Sequence, residues 1–151
     1  MQVARARRKW TLAERPGHLV MRLARLMSRY AEARIQKLGT GVAGYPVLHA
    51  LSEAGEMTQK QLTELLGIEQ SSTAQLLGRL ERDGFISRRK DPADGRSSLI
   101  QLTAKAVAAL PDISSIMDRG NDLAVDGFSD AEIDMAMNLL RRMTTNFERA
   151  E

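Results

Sequence analysis

The sequence predicts a mostly α-helical fold with a small β-hairpin wing, namely a winged helix-turn-helix between N- and C-terminal dimerisation helices. Apolar residues recur at helical spacing over most of the 151 residues. A tightly punctuated pair of short helices lies in the middle, and two extended segments around a polar turn follow it. Hydrophobic residues make up 43% of the chain but aromatic residues only 4%. Packing therefore depends on aliphatic side chains, Met and Ala, which favours helices over a sandwich or barrel.

Two helices are predicted before the central unit. The first begins at Pro16, and its apolar positions are mostly three, four or seven residues apart: Leu19, Leu23, Leu26, Met27, Tyr30 and Leu38. A glycine-rich stretch at 39–44 ends it. The second is predicted over roughly 45–54, and Gly55 is placed to stop it.

The central unit has the local signals of a helix-turn-helix. Thr58 and Gln61 have the spacing of a capping box, and Gly67 is a natural C-terminal cap. A new helix is predicted from about Glu69 or Gln70 to 83, and Gly84 ends it. Its buried positions are expected to be Leu76, Leu77 and Leu80. Two short helices joined by a glycine-containing turn match the motif.

Extended segments and two further helices complete the chain. Residues 85–90 and 98–102 are predicted to pair as antiparallel strands around the turn-forming sequence DPADGRS at 91–97. One helix is predicted from about Thr103 to near Gly127, and another after Ser129, boxed by Glu132. The last helix carries apolar residues at 4-3-3-4 spacing: Ile133, Met137, Leu140, Met143 and Phe147. That stripe is either intramolecular core or a subunit seam.

Composition limits the classes of function. With no Cys and only two His, disulfides and cysteine-based sensing are excluded and little room is left for a metal site, which fits a reducing cytoplasm. No apolar run is long enough to span a membrane, and the segment after the basic start is too polar for a signal peptide. Residues 1–40 hold ten basic and two acidic side chains, whereas residues 103–151 hold five and nine. This asymmetry suggests that one surface meets a polyanion, although a solvated basic arm explains it equally.

The second helix of the central unit and the hairpin contain the candidate DNA contacts. Small polar residues at the start of the helix can approach bases and phosphates, Gln75 can pair with adenine, and Arg79 can reach a phosphate. Asp94 and Arg96 share the short loop, where a pair could hold the arginine extended for a narrow groove. The candidates are Gln70, Ser71, Ser72, Thr73, Gln75, Arg79, Arg88, Arg89, Lys90, Asp94, Arg96 and Ser97. An ordinary capped surface helix and a charge-balanced surface hairpin remain the alternatives.

Three stretches together resemble the signature of the MarR (multiple antibiotic resistance regulator) family. They are LERDGFISR at 80–88, DPADGRS at 91–97 and the Leu-Thr pair at 102–103. The order of the flanking helices is also similar, so the resemblance covers about residues 16–149. It implies that the helix at 70–83 is the recognition helix. It also implies that Asp94 steadies Arg96 against DNA.

The resemblance further implies a homodimer that binds palindromic sites in double-stranded DNA, usually as a repressor. Residues 45–102 would be the DNA-binding region, and 16–44 and 103–151 would form the dimer. The basic arm at 1–15 is not a constant of the family, and it is either disordered on phosphates or an aid to solubility. The interface would include Leu19 and Leu23 with the stripe of the last helix. Many members release DNA when a small aromatic acid or phenol binds. The candidates here are His18, Arg22, Tyr45 and His49, although His49 could be an ordinary partly buried residue.

Two other classes of function also fit parts of the sequence. An architectural protein that coats DNA without responding to a ligand is the main alternative, and a helical protein-interaction module is another. No nucleophile–base pair, phosphate-cradling glycine loop or metal-ligand spacing is present in the sequence. We therefore predict that the chain is not an enzyme and needs no cofactor.

Overall fold

The computed structural model describes residues 8–150, and the first part of the predicted basic arm, including Arg5 and Arg7, lies outside them. The order of elements agrees with the predicted fold class. Helices α1 (Pro16–Ile35) and α2 (Tyr45–Ala54) precede the helix-turn-helix of α3 (Gln59–Leu66) and α4 (Gln70–Arg82). The hairpin follows, and α5 (Ala104–Ala124) and α6 (Asp130–Glu148) close the chain.

The helix boundaries follow local capping chemistry. The Thr58 hydroxyl accepts a hydrogen bond from the backbone N–H of Gln61, and the Gln61 side-chain oxygen accepts one from the backbone N–H of Thr58. Ser129 and Glu132 form the same reciprocal box before α6. Gly67 ends α3 in the left-handed region at φ +62°. Because only glycine adopts that conformation without strain, the chain turns sharply there into α4.

The sheet has one strand more than the sequence predicts. Strands β2 (Ile86–Lys90) and β3 (Ser98–Leu102) pair as expected, but β1 (Glu56–Thr58) also pairs with β3, so the order is β1-β3-β2. The three residues of β1 coincide with the capping signal before α3, and that signal concealed the strand. Strand β3 is therefore central and is paired along both edges, with β1 on one side and β2 on the other. The loop at 91–97 extends beyond the paired part of the sheet.

The core lies beneath the helix-turn-helix. It joins the last turns of α1 to α2, α3, α4, the sheet and the first half of α5, with Ile35, Leu77, Phe85, Ile100 and Ile113 fully buried. The first half of α1 contributes no buried residue, nor does any part of α6. The two ends of the described chain therefore lack a core of their own.

Candidate nucleic-acid interface

The recognition-helix candidate α4 presents a polar face to solvent. Leu76, Leu77 and Leu80 are buried on its inner side, as predicted. The outer side exposes four of the predicted contact residues together with the arginine one turn further on: Gln70, Ser71, Ser72, Gln75 and Arg79. Within residues 8–150, Arg79 has no carboxylate within ion-pair distance. This face is free to contact a polyanion.

Thr73 is a correction to the predicted set of base contacts. Its side chain is fully buried, and its Oγ1 donates a hydrogen bond to the carbonyl of Glu69 at 3.2 Å. The helical period explains the error, because Thr73 lies one turn before Leu77 and three residues before Leu76 on the inner face. Thr73 therefore packs α4 onto the core and cannot reach a base.

The loop of the wing is organised by backbone hydrogen bonds. The Asp94 carboxylate accepts from the backbone N–H of Arg96 at 3.0 Å, and the Asp91 carboxylate accepts from the N–H of Ala93 at 2.8 Å. Ser97 is half-buried and closes the loop, since its carbonyl accepts from the N–H of Asp91. Asp94 thus fixes the turn that carries Arg96 without pairing with the guanidinium. The exposed Arg96 side chain has no ion-pair partner in the described chain.

The two adjacent arginines of β2 have carboxylate partners on opposite faces of the sheet. The Arg88 Nε lies 3.1 Å from Glu81 Oε2 of α4. Arg89 forms a bidentate pair with Glu56 of β1, with its Nε 2.7 Å from Oε1. This hydrogen-bonded pair lowers the pKa of Glu56 and raises the pKa of Arg89. Lys90, which ends the strand, is exposed and forms no ion pair within residues 8–150.

A groove of about 460 Å³ separates the start of α3 from the wing. Its cations are Lys60 of α3, Arg88 and Arg96, and its anions are Asp91 and Asp94. Basic residues of α3 and of the hairpin therefore line one groove.

The four predicted ligand contacts fall into two pairs. Tyr45 and His49 lie one turn apart on α2, and their rings meet edge to face at 5.6 Å between centroids. The His49 side chain is about half exposed and lies 3.9 Å from Glu53. His18 and Arg22 lie one turn apart on the half of α1 that has no buried residue. None of these four residues lines the groove between α3 and the wing.

The predicted interface residues form an uncovered apolar surface. Leu19 and Leu23 of α1 and the α6 residues Met137, Leu140, Met143 and Phe147 are all at least 36% exposed, with Phe147 at 78%. Ile133 is half-buried. Beside them, an apolar groove of about 520 Å³ is lined by Trp10, Val20, Leu140, Met143 and Phe147, among others. Apolar residues at helical spacing with no covering layer are the pattern of an unfilled interface.

The described part of the chain, residues 8–150, has no helix that combines the length and hydropathy needed to cross a membrane. Its acidic and imidazole side chains also form no group of three or more that could hold a metal ion.

Comparison with known proteins agrees with this geometry. The model of the MarR family matches residues 38–97. The fold is similar to that of a mutant MarR from E. coli complexed with operator DNA, at 20% identity and a TM-score of 0.77, covering 84% of this chain and 91% of that one. A MarR transcriptional regulator from Methanosarcina mazei Go1 is 26% identical, with a TM-score of 0.79 and coverages of 89% and 97%. The PcaV transcriptional regulator from Streptomyces coelicolor, in complex with its natural ligand, is 27% identical, with a TM-score of 0.77 and coverages of 92% and 98%.

Proposed function

We propose that the chain is a member of the MarR family, whose model matches residues 38–97, and that it is not an enzyme but a homodimeric repressor of a palindromic operator. The observation that carries this proposal is the exposed face of α4, with its polar side chains, beside a wing with a free arginine at its tip. Gln75 and the two serines would contact bases in the major groove. Arg79, Lys90 and Arg96 would contact phosphates or a narrow groove.

The apolar surface of α1 and α6 supports the proposed dimer. A helix of 19 residues with no fully buried side chain gains little stability from packing within its own chain, although packing of an apolar face supplies most of the stability of helices in proteins. A second copy offers the same stripe, and a two-fold axis lets identical patches cover one another. Two-fold symmetry would present two α4 helices to successive major grooves roughly 34 Å apart, which requires a pseudo-palindromic site.

Regulation would act on the distance between the two recognition helices. A small aromatic acid or phenol is the proposed effector, with Arg22 pairing a carboxylate and His18, Tyr45 or His49 bonding a hydroxyl. The ligand-bound state of PcaV from Streptomyces coelicolor supports this type of control. Such a ligand releases DNA only if it binds the DNA-incompetent arrangement more tightly.

Selection of bound duplexes from a random pool at roughly physiological salt tests the proposal. Enrichment of a palindrome with half-sites about one helical turn apart is the expected result. Sedimentation of the protein alone should give twice the mass of the chain. Binding without sequence enrichment would instead indicate an architectural protein, and the absence of any binding would overturn the proposed function.

A screen of small aromatic compounds for release of DNA then tests the proposed effector. The enriched duplex is incubated with the full-length protein and with aromatic acids and phenols in turn. Release by one of them, weakened by Arg22→Gln but not by Arg119→Gln, would support the proposed contact. Release that is equally strong with Arg22→Gln would refute the role of that arginine.

A further inference from the structure

Arg88 joins three elements of the DNA-binding region. Its Nε donates to Glu81 of α4 at 3.1 Å, and its Nη1 donates to the side-chain oxygen of Gln59 in α3 at 3.3 Å. Arg88 itself belongs to β2, at the base of the wing. A single guanidinium therefore connects the wing to both helices of the helix-turn-helix.

The opposite face of the same strand is anchored in a similar way. Successive side chains of a strand point to opposite faces, so Arg89 projects away from Arg88. Its bidentate pair with Glu56 reaches across β3 to β1, the strand that leads directly into α3. Both faces of the hairpin base are thus held to the helix-turn-helix, whereas Lys90 and Arg96 lie beyond the anchored part.

Transfer of Arg88 to a phosphate would be costly. Two of its five N–H donors are engaged, and turning the rigid guanidinium away from Glu81 and Gln59 toward a phosphate would break at least one of these bonds. The released Glu81 carboxylate would then be left unpaired on the helix that faces the phosphates. Repulsion between that carboxylate and the DNA would oppose the same exchange.

From this geometry we infer that Arg88, held by Glu81 and Gln59, is a positioning residue that sets the angle of the wing relative to α4. It does not contact DNA. This inference rests on the proposed DNA-binding function and replaces the sequence-based assignment of Arg88 as a phosphate contact. The angle determines whether Arg96 and the start of α4 can engage the same site together.

Removal of the Glu81 charge should change the affinity for DNA in opposite directions, depending on whether Arg88 contacts phosphate or positions the wing. If Arg88 contacts phosphate, Glu81 competes with DNA, and Glu81→Gln strengthens binding. If Arg88 positions the wing, the same substitution loosens the anchor and weakens binding. An exposed ion pair contributes modestly, so we expect a decrease of about two- to fivefold in affinity.

The experiment measures affinity for the selected duplex over a range of salt concentrations. The variants are Glu81→Gln, Arg88→Gln and their combination, with Glu64→Gln of α3 as the control for removal of an acidic charge. We expect Glu81→Gln and Arg88→Gln to weaken binding similarly and the combination to add nothing, while Glu64→Gln does not weaken it. The slope of log affinity against log salt should stay at the wild-type value in all variants.

Several outcomes would overturn the inference. Tighter or unchanged binding by Glu81→Gln is one. Another is a shallower salt slope in Arg88→Gln, because each phosphate that a protein cation neutralises accounts for about 0.9 of the slope and a dimer carries two copies of Arg88. Failure of the wild-type protein to bind any duplex would reject the proposed function instead, so the two failures are distinguishable.

A second variant keeps the inference testable if the charge variants fold poorly. Gln59→Ala removes one bond to Arg88 without changing the charge and should weaken binding at a constant slope. Hydrogen exchange of the β2–β3 amides in the free protein should become faster in the same variant. Unchanged affinity and exchange in Gln59→Ala would refute the anchoring role.

Discussion

Replacement of Arg96 by glutamine should remove a cation from each wing tip of the proposed dimer. The side chain is exposed and unpaired within residues 8–150, and the turn beneath it is held by Asp94 through the backbone N–H of residue 96. Since that N–H survives the substitution, the loop keeps its conformation. The effect is therefore confined to the interaction with DNA.

The magnitude follows from counterion release. Each phosphate that is no longer neutralised lowers the slope of log affinity against log salt by about 0.9, so the slope of a dimer should fall by about 1.8. Over a fourfold change in salt, from roughly 50 to 200 mM, the ratio of wild-type to variant affinity should then shrink about twelvefold. Fluorescence anisotropy of the labelled duplex at four or more salt concentrations measures both quantities.

A matched control separates the local interaction from total charge. Arg119→Gln removes the same charge from an exposed position of α5, outside the DNA-binding region. Its slope should stay at the wild-type value. Equal slopes for Arg96→Gln and wild type would refute the placement of Arg96 against a phosphate, and equal decreases in both variants would show that only net charge matters.

Three predictions concern stability, measured by denaturant unfolding at one fixed protein concentration. Gly44→Ala should lower the free energy of unfolding by about 1–3 kcal/mol, because the added Cβ would lie 2.7 Å from Leu80 Cδ2. Gly78→Ala, whose added Cβ would have no atom within 4 Å, should instead stabilise α4. Equal effects of the two substitutions would contradict this packing. Ser129→Ala should cost about 0.5–2 kcal/mol by removing the cap of α6, and full stability in this variant would show that the cap is dispensable. The backbone N–H and hydroxyl of Ser129 lower the pKa of Glu132. Its contribution to the free energy of unfolding is therefore present above the ordinary carboxyl range and disappears as the pH falls through the lowered pKa. Glu132→Gln should remove this part of the dependence of stability on pH, and an unaltered dependence would refute the prediction.

Local signals predicted most of the fold. Capping boxes at Thr58 and Ser129 and the left-handed glycine at Gly67 placed the helix ends correctly. These features act within four residues, so the sequence alone determines them. Strand β1 was missed because its three residues pair with a strand some 40 positions later, and such pairing leaves no local pattern.

The candidate site was predicted less completely because side-chain roles depend on burial and distant partners. Thr73 belongs to a run of small polar residues, and only the orientation of α4 against the core shows that it is buried. The roles of Arg88 and Arg89 depend on Glu81 and Glu56, which lie 7 and 33 residues away in the sequence. The sequence of a basic cluster therefore does not show which cations are held in ion pairs and which are free to contact DNA.

The difference between anchored and free arginines affects how the wing engages DNA. A hairpin held only by its backbone would sample many angles, and each binding event would bear the cost of ordering it. Anchors on both faces restrict the base of the wing before DNA arrives, while the tip with Arg96 stays free to adjust to the groove. The anchors also make the wing move with α3 and α4 as one body. A change in the separation of the two α4 helices would then displace wing and recognition helix together, so a modest shift at the dimer helices would remove both sets of DNA interactions at once.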